Sequence, residues 1–167
     1  TNIDRMDRII RKMLELTKIE SHSLEVKFED ISLSQSCNKI IHRYKQVCDE
    51  RFISIHLEGN AIVKADRSLI ERVIDNFFIN AIDHTPNGGK IDIRIVDNTL
   101  EVYNSGSNIP EEKIGEIWLP FNKGDASRSN TKGTGLGLAI SRTILELHNF
   151  TYGARNSEDG VIFWFKF

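Results

Sequence analysis

Two groups of residues have types and spacings that suit the binding of phosphate or of a metal ion. Asn76 and Asn80 lie four residues apart within an apolar run, so they share one face of a helix. Asparagine is a poor helix former, and its amide oxygen is a ligand for hard cations. The pair therefore predicts either ordinary hydrogen bonds to neighbouring elements or a cleft that holds a cation and its waters.

The second group is the segment Lys132–Leu138, in which every second residue from 133 to 137 is glycine. Glycine permits positive φ and close approach of a ligand to the backbone, and amides at a helix N-terminus bind phosphate. The spacing matches neither a Walker A loop nor G-x-G-x-x-G, because Ile140 occupies the last glycine position. We expect a phosphate cradle, with a flexible hinge as the alternative.

A polar, basic stretch precedes these glycines. Residues 122–132 contain one apolar side chain, Ala126, and carry Lys123, Arg128 and Lys132 against Asp125. Next to a phosphate cradle, such a stretch is typical of a mobile lid, although an ordinary solvated loop has the same composition.

Hydrophobic periodicity predicts the elements that position these groups. Helical spacing occurs in residues 2–20, 35–50, the run after Asp66 and 138–149, with Asp66 or Ser68 as N-cap of the third helix and a short helix near 111–118. Alternation predicts strands at 53–57, 61–65, 90–96, 100–103 and 161–167, the first four paired as two hairpins around Gly59-Asn60 and Asp97-Asn98-Thr99. This order predicts an α+β, two-layer sandwich with helices on one face of a mixed sheet.

The first helix carries apolar residues at heptad spacing. Ile3 and Ile10 are seven residues apart, as are Met6 and Met13. The stripe fits one core-facing helix of a globular domain or a helix of a bundle or dimer.

Composition excludes several classes of protein. The chain has 167 residues, 40% of them hydrophobic and 28% charged, which suits one folded domain with a short appendage. A formal charge of −2 argues against a dedicated nucleic-acid binder. No apolar run is long enough for a membrane span. Cys37 and Cys48 lack metal-site spacing, so we expect both to be reduced and buried in the core.

Four motifs in order resemble the ATP-binding catalytic region of bacterial sensor histidine kinases, of the GHKL superfamily. Asp66–Thr85 resembles the N box, Asn104–Gly106 the G1 box, Trp118–Lys123 the F box and Gly133–Leu138 the G2 box. Residues 1–21 resemble the end of the second helix of the dimerisation and phosphoacceptor domain. The resemblance implies a domain boundary between residues 21 and 22, with residues 22–167 forming a catalytic domain of the Bergerat fold.

The resemblance also implies roles for individual residues. Asn80 would coordinate Mg²⁺, Asn76 would line the phosphates, Lys123 would reach the γ-phosphate, and Asn104 would contact the adenine amino group. Gly106 would let the base lie against the backbone. The complete set of implied ATP contacts is Asn76, Asn80, His84, Asn104, Gly106, Ile109, Phe121, Lys123, Gly133, Thr134, Gly135, Leu136, Gly137 and Leu138.

Three positions depart from the family pattern. Asn104 replaces the usual Asp, so a base contact would lack the strength of an ionised acceptor. Asn108 replaces the second G1 glycine. Asp83 stands where a basic residue is common three positions after the magnesium asparagine; we expect it to turn away, with His84 contributing instead.

Superfamily hydrolases resemble one another in having Glu where this chain has Asn76, and Asn cannot serve as a general base. We therefore expect phosphoryl transfer to histidine, with a superfamily ATPase, an anti-sigma-type serine kinase and a non-catalytic nucleotide-binding module as alternatives. None of the five histidines is followed by an acidic residue, so the phosphoacceptor is expected on a helix before residue 1. The resemblance further implies a homodimeric, membrane-anchored bacterial protein, with this part in the cytoplasm and a response regulator as partner.

Overall fold

A five-stranded mixed sheet with helices on one face is the centre of the fold. The computed structural model describes residues 1–20, 25–121 and 135–167. The helices are α1 Asn2–Glu20, α2 Leu33–Arg43, α3 Lys45–Glu50, α4 Arg67–His84 and α5 Gly137–Leu147. The strands are β1 Phe28–Ser32, β2 Ser54–Gly59, β3 Ile62–Asp66, β4 Lys90–Val96, β5 Thr99–Ser105, β6 Thr151–Asn156 and β7 Gly160–Lys166. Two 3₁₀ turns, Glu111–Lys113 and Glu116–Trp118, replace the predicted helix near 111–118.

The strand order is β2-β4-β5-β7-β6, with β2 parallel to β4 and every other pair antiparallel. In β4 and β5 every second side chain is buried, as expected for a sheet with one covered face. The covered face packs on α4 and α5, and the large core side chains include Phe77, Phe78 and Phe165. The predicted α+β sandwich is confirmed.

Helix α4 is capped by Asp66, one of the two residues that the sequence indicates, and hydrogen bonds connect this end of α4 to the end of α5. The Asp66 side chain accepts a hydrogen bond from the Leu69 amide, which caps the helix. The backbone amide of Asp66 donates to Nε2 of His148, and Nδ1 of that ring donates to the Ile144 carbonyl. Through these two hydrogen bonds the His148 ring links the start of α4 to the end of α5.

The predicted hairpin around Gly59-Asn60 is wrong. The two strands exist, but β2 pairs with β4, whereas β3 pairs with β1 in a separate two-stranded sheet. Glycine-asparagine allows a tight turn, but the partner of each strand depends on distant residues. A strand at residues 28–32, where the sequence predicts no strand, provides the partner for β3.

Two further elements differ from the prediction. The helix expected over residues 35–50 is broken at Tyr44, whose backbone (φ −106°, ψ 11°) leaves the helical region. The Tyr44 hydroxyl donates to Asp75 of α4, so the break serves a tertiary contact.

Strand β6 was not predicted, because its residues are largely polar and include Gly153. That glycine makes room for the ring of Trp164, which a Cβ would approach to 2.7 Å.

Helix α1 presents two different faces. Near its end Leu16 and Ile19 are buried, and α1 contacts α5. Glu15 forms an ion pair with Arg72 of α4. The heptad residues nearer the start are exposed: Ile3 by 78%, Met6 by 61%, Ile10 by 51% and Met13 by 45%. Among the described helices, none is long and apolar enough to cross a membrane.

Both cysteines are free and buried, as predicted. Burial raises the pKa of the Cys37 thiol to about 12. At pH 8 only about one Cys37 in ten thousand is a thiolate, which is the reactive form. We therefore expect a thiol reagent to label Cys37 only as fast as the chain unfolds, and labelling in urea provides the control. Rapid stoichiometric labelling of Cys37 in the folded chain would contradict this packing.

Candidate nucleotide-binding site

The first implied site residue, Asn76, joins the two helices of the site. Its Nδ2 donates to the Gly137 carbonyl at 3.0 Å and to Oγ of Ser141 at 3.1 Å. The Ser141 hydroxyl in turn donates to the Gly137 carbonyl. Asn76 is 8% exposed, and its Oδ1 would lie 3.5 Å from a Cβ at position 137. Asn76 therefore fixes the start of α5 against the middle of α4.

Asn80 lies one helical turn after Asn76 in α4. Its side chain is half-buried and has no hydrogen-bond partner among residues 1–20, 25–121 and 135–167. His84 is exposed, and its Nδ1 donates to the Asn80 carbonyl at 2.8 Å. Asp83 is also exposed. Asn76 therefore has a structural role, whereas no described residue uses the Asn80 side chain in this way.

Asn104, near the end of β5, is fully buried. Its Nδ2 donates to Oγ of Ser107 at 3.1 Å and to the Ser105 carbonyl at 3.4 Å. Its Oδ1 has no hydrogen-bond partner within the described part of the chain. Burying an acceptor without a partner costs about 1–3 kcal/mol, so a donor from a ligand would be stabilised there.

Gly106 packs tightly against the end of α4. Its φ is +91°, and a Cβ at this position would lie 2.5 Å from Cδ of Pro86. The Pro86 ring therefore occupies the space that a side chain at position 106 would take. Gly106 also donates its amide hydrogen to the Asp159 carbonyl at 2.8 Å.

Arg51 holds the end of α4 in this position. Its guanidinium donates to the Ile82 carbonyl at 2.8 Å, to the Thr85 carbonyl and to Oδ1 of Asn87 at 2.9 Å. A cation at a helix C-terminus also interacts favourably with the helix dipole. Arg51 lies 31 residues before Ile82, so no local pattern in the sequence connects the two.

The backbone of Ile109 is held by the side-chain amide of Asn156 in strand β6. Its amide donates to Oδ1 of Asn156 at 2.8 Å, and Nδ2 of Asn156 donates back to the Ile109 carbonyl at 2.6 Å. Asn108 donates to the carbonyls of Ser157 and Gly160. The segment after β5 is thus fastened to the β6–β7 turn. The sequence predicts neither β6 nor the role of Asn156, because no local pattern indicates that Asn156 binds the backbone of Ile109.

Residues that flank the predicted lid meet in space. The Phe121 amide donates to the Gly135 carbonyl at 2.8 Å, with φ of +63° and +76° at these two residues. Phe121 is 52% exposed, Leu136 is fully buried, and Gly135, Gly137 and Leu138 are half-buried. Lys123, Gly133, Thr134 and the predicted lid lie outside the described residues.

The residues present fit a nucleotide. Oδ1 of Asn104, which has no hydrogen-bond partner among the described residues, is an acceptor that suits a base amino group, and the start of α5 is a helix N-terminus of the kind that binds anions. Residues 1–20, 25–121 and 135–167 contain no group of three His, Cys, Asp or Glu side chains that could hold a metal ion. A magnesium ion would depend on Asn80 and on the oxygens of the nucleotide itself, as is usual for Mg²⁺ with phosphates.

Comparison with known proteins agrees with this geometry. Residues 65–167 match the family described as "Histidine kinase-, DNA gyrase B-, and HSP90-like ATPase". Sensor protein CzcS of Cupriavidus metallidurans is 32% identical over 161 residues, which are 93% of this chain and 34% of CzcS. The catalytic domain of histidine kinase ThkA, in a nucleotide-free form, superposes with a TM-score of 0.72 at 31% identity over 83% of this chain and 93% of that one.

A second ThkA structure, in complex with response regulator protein TrrA, has a TM-score of 0.76 at 29% identity, covering 98% of this chain and 47% of that one. The chain spans about a third of the length of the curated relatives that it matches. The family match, the related sequence and the fold agree. The chain belongs to the histidine kinase-, gyrase B- and HSP90-like ATPase family and contains an ATP-binding domain of the sensor histidine kinase type.

Proposed function

We propose that the chain is the catalytic part of a two-component sensor histidine kinase. It binds ATP with Mg²⁺ and passes the γ-phosphoryl group to a histidine other than its own five, for transfer to a response regulator. The observation that carries this proposal is Asn76. Its Nδ2 is bound to Gly137 and Ser141, so an amide without proton affinity holds the position at which a hydrolase needs a base.

The remaining residues supply position and charge, on which phosphoryl transfer mainly depends. Asn104 would receive the adenine amino group, and Gly106 and Ile109 would support the base. Asn80 would hold Mg²⁺, which neutralises charge on the phosphates when bound, with His84 beside it. Lys123, Phe121 and the segment Gly133–Leu138 would surround the phosphates.

The exposed face of α1 supports a homodimer. Ile3, Met6, Ile10 and Met13 form a heptad seam of the kind that packs against other helices. We propose that this seam packs in a helical bundle with the phosphoacceptor helix and a second subunit. The ThkA–TrrA complex supports a response regulator as partner. We also propose that residues 1–21 end the dimerisation hairpin, that residues 22–167 form the catalytic domain, and that other segments anchor the protein with this part on the cytoplasmic side.

A binding and labelling experiment tests the proposal. We expect calorimetry to show ATP binding that is strengthened by Mg²⁺, phosphate release close to that of buffer, and no acid-labile label on the chain after incubation with γ-labelled ATP. Steady phosphate release would instead indicate an ATPase. Binding indifferent to Mg²⁺ would indicate a non-catalytic module. Strong label on any of the chain's five histidines would contradict an external acceptor.

A further inference from the structure

Helix α4 contains three acidic residues, and within the described part of the chain only the Asp83 carboxylate has no partner. Glu71 and Asp75 each accept hydrogen bonds from two side chains of residues 36–44. The exposed Asp83 carboxylate makes neither a hydrogen bond nor an ion pair with residues 1–20, 25–121 and 135–167. Two of the three carboxylates therefore hold α4 in the fold, whereas the third has no such structural role.

The position of Asp83 is electrostatically unfavourable for a carboxylate. Asp83 is the last residue but one of α4, where the helix dipole is negative and favours cations. Arg51 acts on the Asp83 charge from a distance. The Arg51 guanidinium, however, already donates to the carbonyls of Ile82 and Thr85 and to the Asn87 side chain. A cation bound beside Asp83 would therefore stabilise its charge more directly than the protein does.

Asn80 lies on the same face of the helix as Asp83. The two residues are three positions apart, so their Cβ atoms are about 5–6 Å from each other. The Asn80 side chain also has no hydrogen-bond partner in the described ranges. Proteins usually hold Mg²⁺ by one or two carboxylates together with phosphate oxygens of the substrate, and Asn80 supplies no carboxylate. Asp83 is the acidic residue of α4 that can supply one.

We propose that Asp83 is a second protein ligand, beside Asn80, of the metal ion that accompanies the nucleotide. The inference rests on the proposed function, in which Asn80 holds Mg²⁺. It gives the Asp83 carboxylate two opposite effects on ATP. Without a metal ion the carboxylate repels the phosphates, and with the ion it contributes to binding. Asp83 thereby makes the affinity for ATP depend more strongly on Mg²⁺ than Asn80 would alone.

Calorimetric titration of Asp83→Ala with ATP, in EDTA and in Mg²⁺, separates the two effects. In EDTA we expect about fivefold tighter binding than in the wild-type chain, because a like charge near the phosphates is removed. In Mg²⁺ we expect about tenfold weaker binding, as is typical when a group that supports a metal ion is lost. A carboxylate that only repels phosphate predicts the opposite sign in Mg²⁺. An equal or higher affinity of Asp83→Ala for ATP in Mg²⁺ would therefore overturn the inference.

Mn²⁺ in place of Mg²⁺ gives a direct readout of the metal ion. Electron paramagnetic resonance measures the Mn²⁺ that stays unbound when it is added to an equimolar mixture of chain and ATP. We expect Asp83→Ala to bind Mn²⁺ about tenfold more weakly than the wild-type chain in this mixture. An unchanged affinity for Mn²⁺ would show that Asp83 turns away from the metal ion.

Asp92→Ala is the matched control, because it removes the same charge from the other side of the sheet. Asp92 lies in β4 between the buried residues Ile91 and Ile93, so its side chain is on the uncovered face. We expect its ATP affinities to stay within about twofold of wild type in both conditions. Equal changes in Asp83→Ala and Asp92→Ala would indicate a general effect of charge and overturn the inference.

Urea denaturation checks that the variant is folded. Asp83→Ala should unfold at the same urea concentration as the wild-type chain or a higher one, because alanine favours the helix and the unfavourable charge is gone. Asp83→Asn, which keeps the shape, should change both affinities in the same directions and replaces Asp83→Ala should that variant not fold. Absence of ATP binding by the wild-type chain would overturn the proposed function as well, whereas the outcomes above concern Asp83 alone.

Discussion

Replacing Gly106 by alanine is expected to lower the free energy of unfolding by about 2–5 kcal/mol and to weaken ATP binding by more than tenfold. About 1–2 kcal/mol comes from a φ of +91° for a residue with a Cβ. A further 1–3 kcal/mol, approximately, comes from overpacking against the Pro86 ring, which would lie 2.5 Å from that Cβ. Arg51 fixes the end of α4, so Pro86 cannot retreat without breaking the hydrogen bonds to Ile82 and Thr85.

Gly88→Ala is the matched control for this substitution. Gly88 has a similar φ of +82°, but a Cβ there would have no heavy atom within 4 Å. We expect a loss of about 1–2 kcal/mol from backbone strain and little change in ATP affinity. Urea denaturation and calorimetric titration measure both quantities. Equal effects of the two substitutions would show that the contact between Gly106 and Pro86 does not support the site.

Alanine at position 80 is expected to remove the part of the ATP affinity that depends on Mg²⁺ while leaving the fold intact. The Asn80 side chain makes no hydrogen bond within the described ranges, and alanine is the better helix former. The free energy of unfolding should therefore stay the same or rise by about 0.5 kcal/mol. Titration with ATP in the presence and absence of Mg²⁺ measures the metal-dependent gain.

Asn76→Ala is the complementary variant on the same helix face. It removes the donors to Gly137 and Ser141, so we expect a loss of about 1–3 kcal/mol in the free energy of unfolding. ATP affinity should fall because the start of α5 is released, while the remaining binding still responds to Mg²⁺. If the ATP affinity of Asn80→Ala still increased with Mg²⁺ as much as that of the wild-type chain, Asn80 would not be a ligand of the metal ion.

The pairing of strands shows where local signals fail. The turn at Asp97-Asn98 was predicted correctly, because both residues adopt positive φ and the flanking strands β4 and β5 face each other. Gly59 also has positive φ, yet its strands separate. A Cβ on Gly59 would lie 2.1 Å from the Ile95 carbonyl, so this glycine serves the contact between β2 and β4. Positive φ thus occurs both in a hairpin turn and at a close contact between neighbouring strands, and only long-range contacts distinguish the two cases.

The sequence alone determined the order of the four boxes, the N-cap at Asp66, the amphipathic α4 and the α+β class. These features depend on local spacing and on residue chemistry, which can be read directly from the sequence. Tertiary structure decided that Asn76 is bound to Gly137 and that Arg51 fastens the end of α4. It also decided that, within the described part of the chain, Asn80 makes no such bond and the buried Oδ1 of Asn104 has no partner. Those facts depend on partners 31 to 61 residues away or on the orientation of one amide, which periodicity and propensity do not encode.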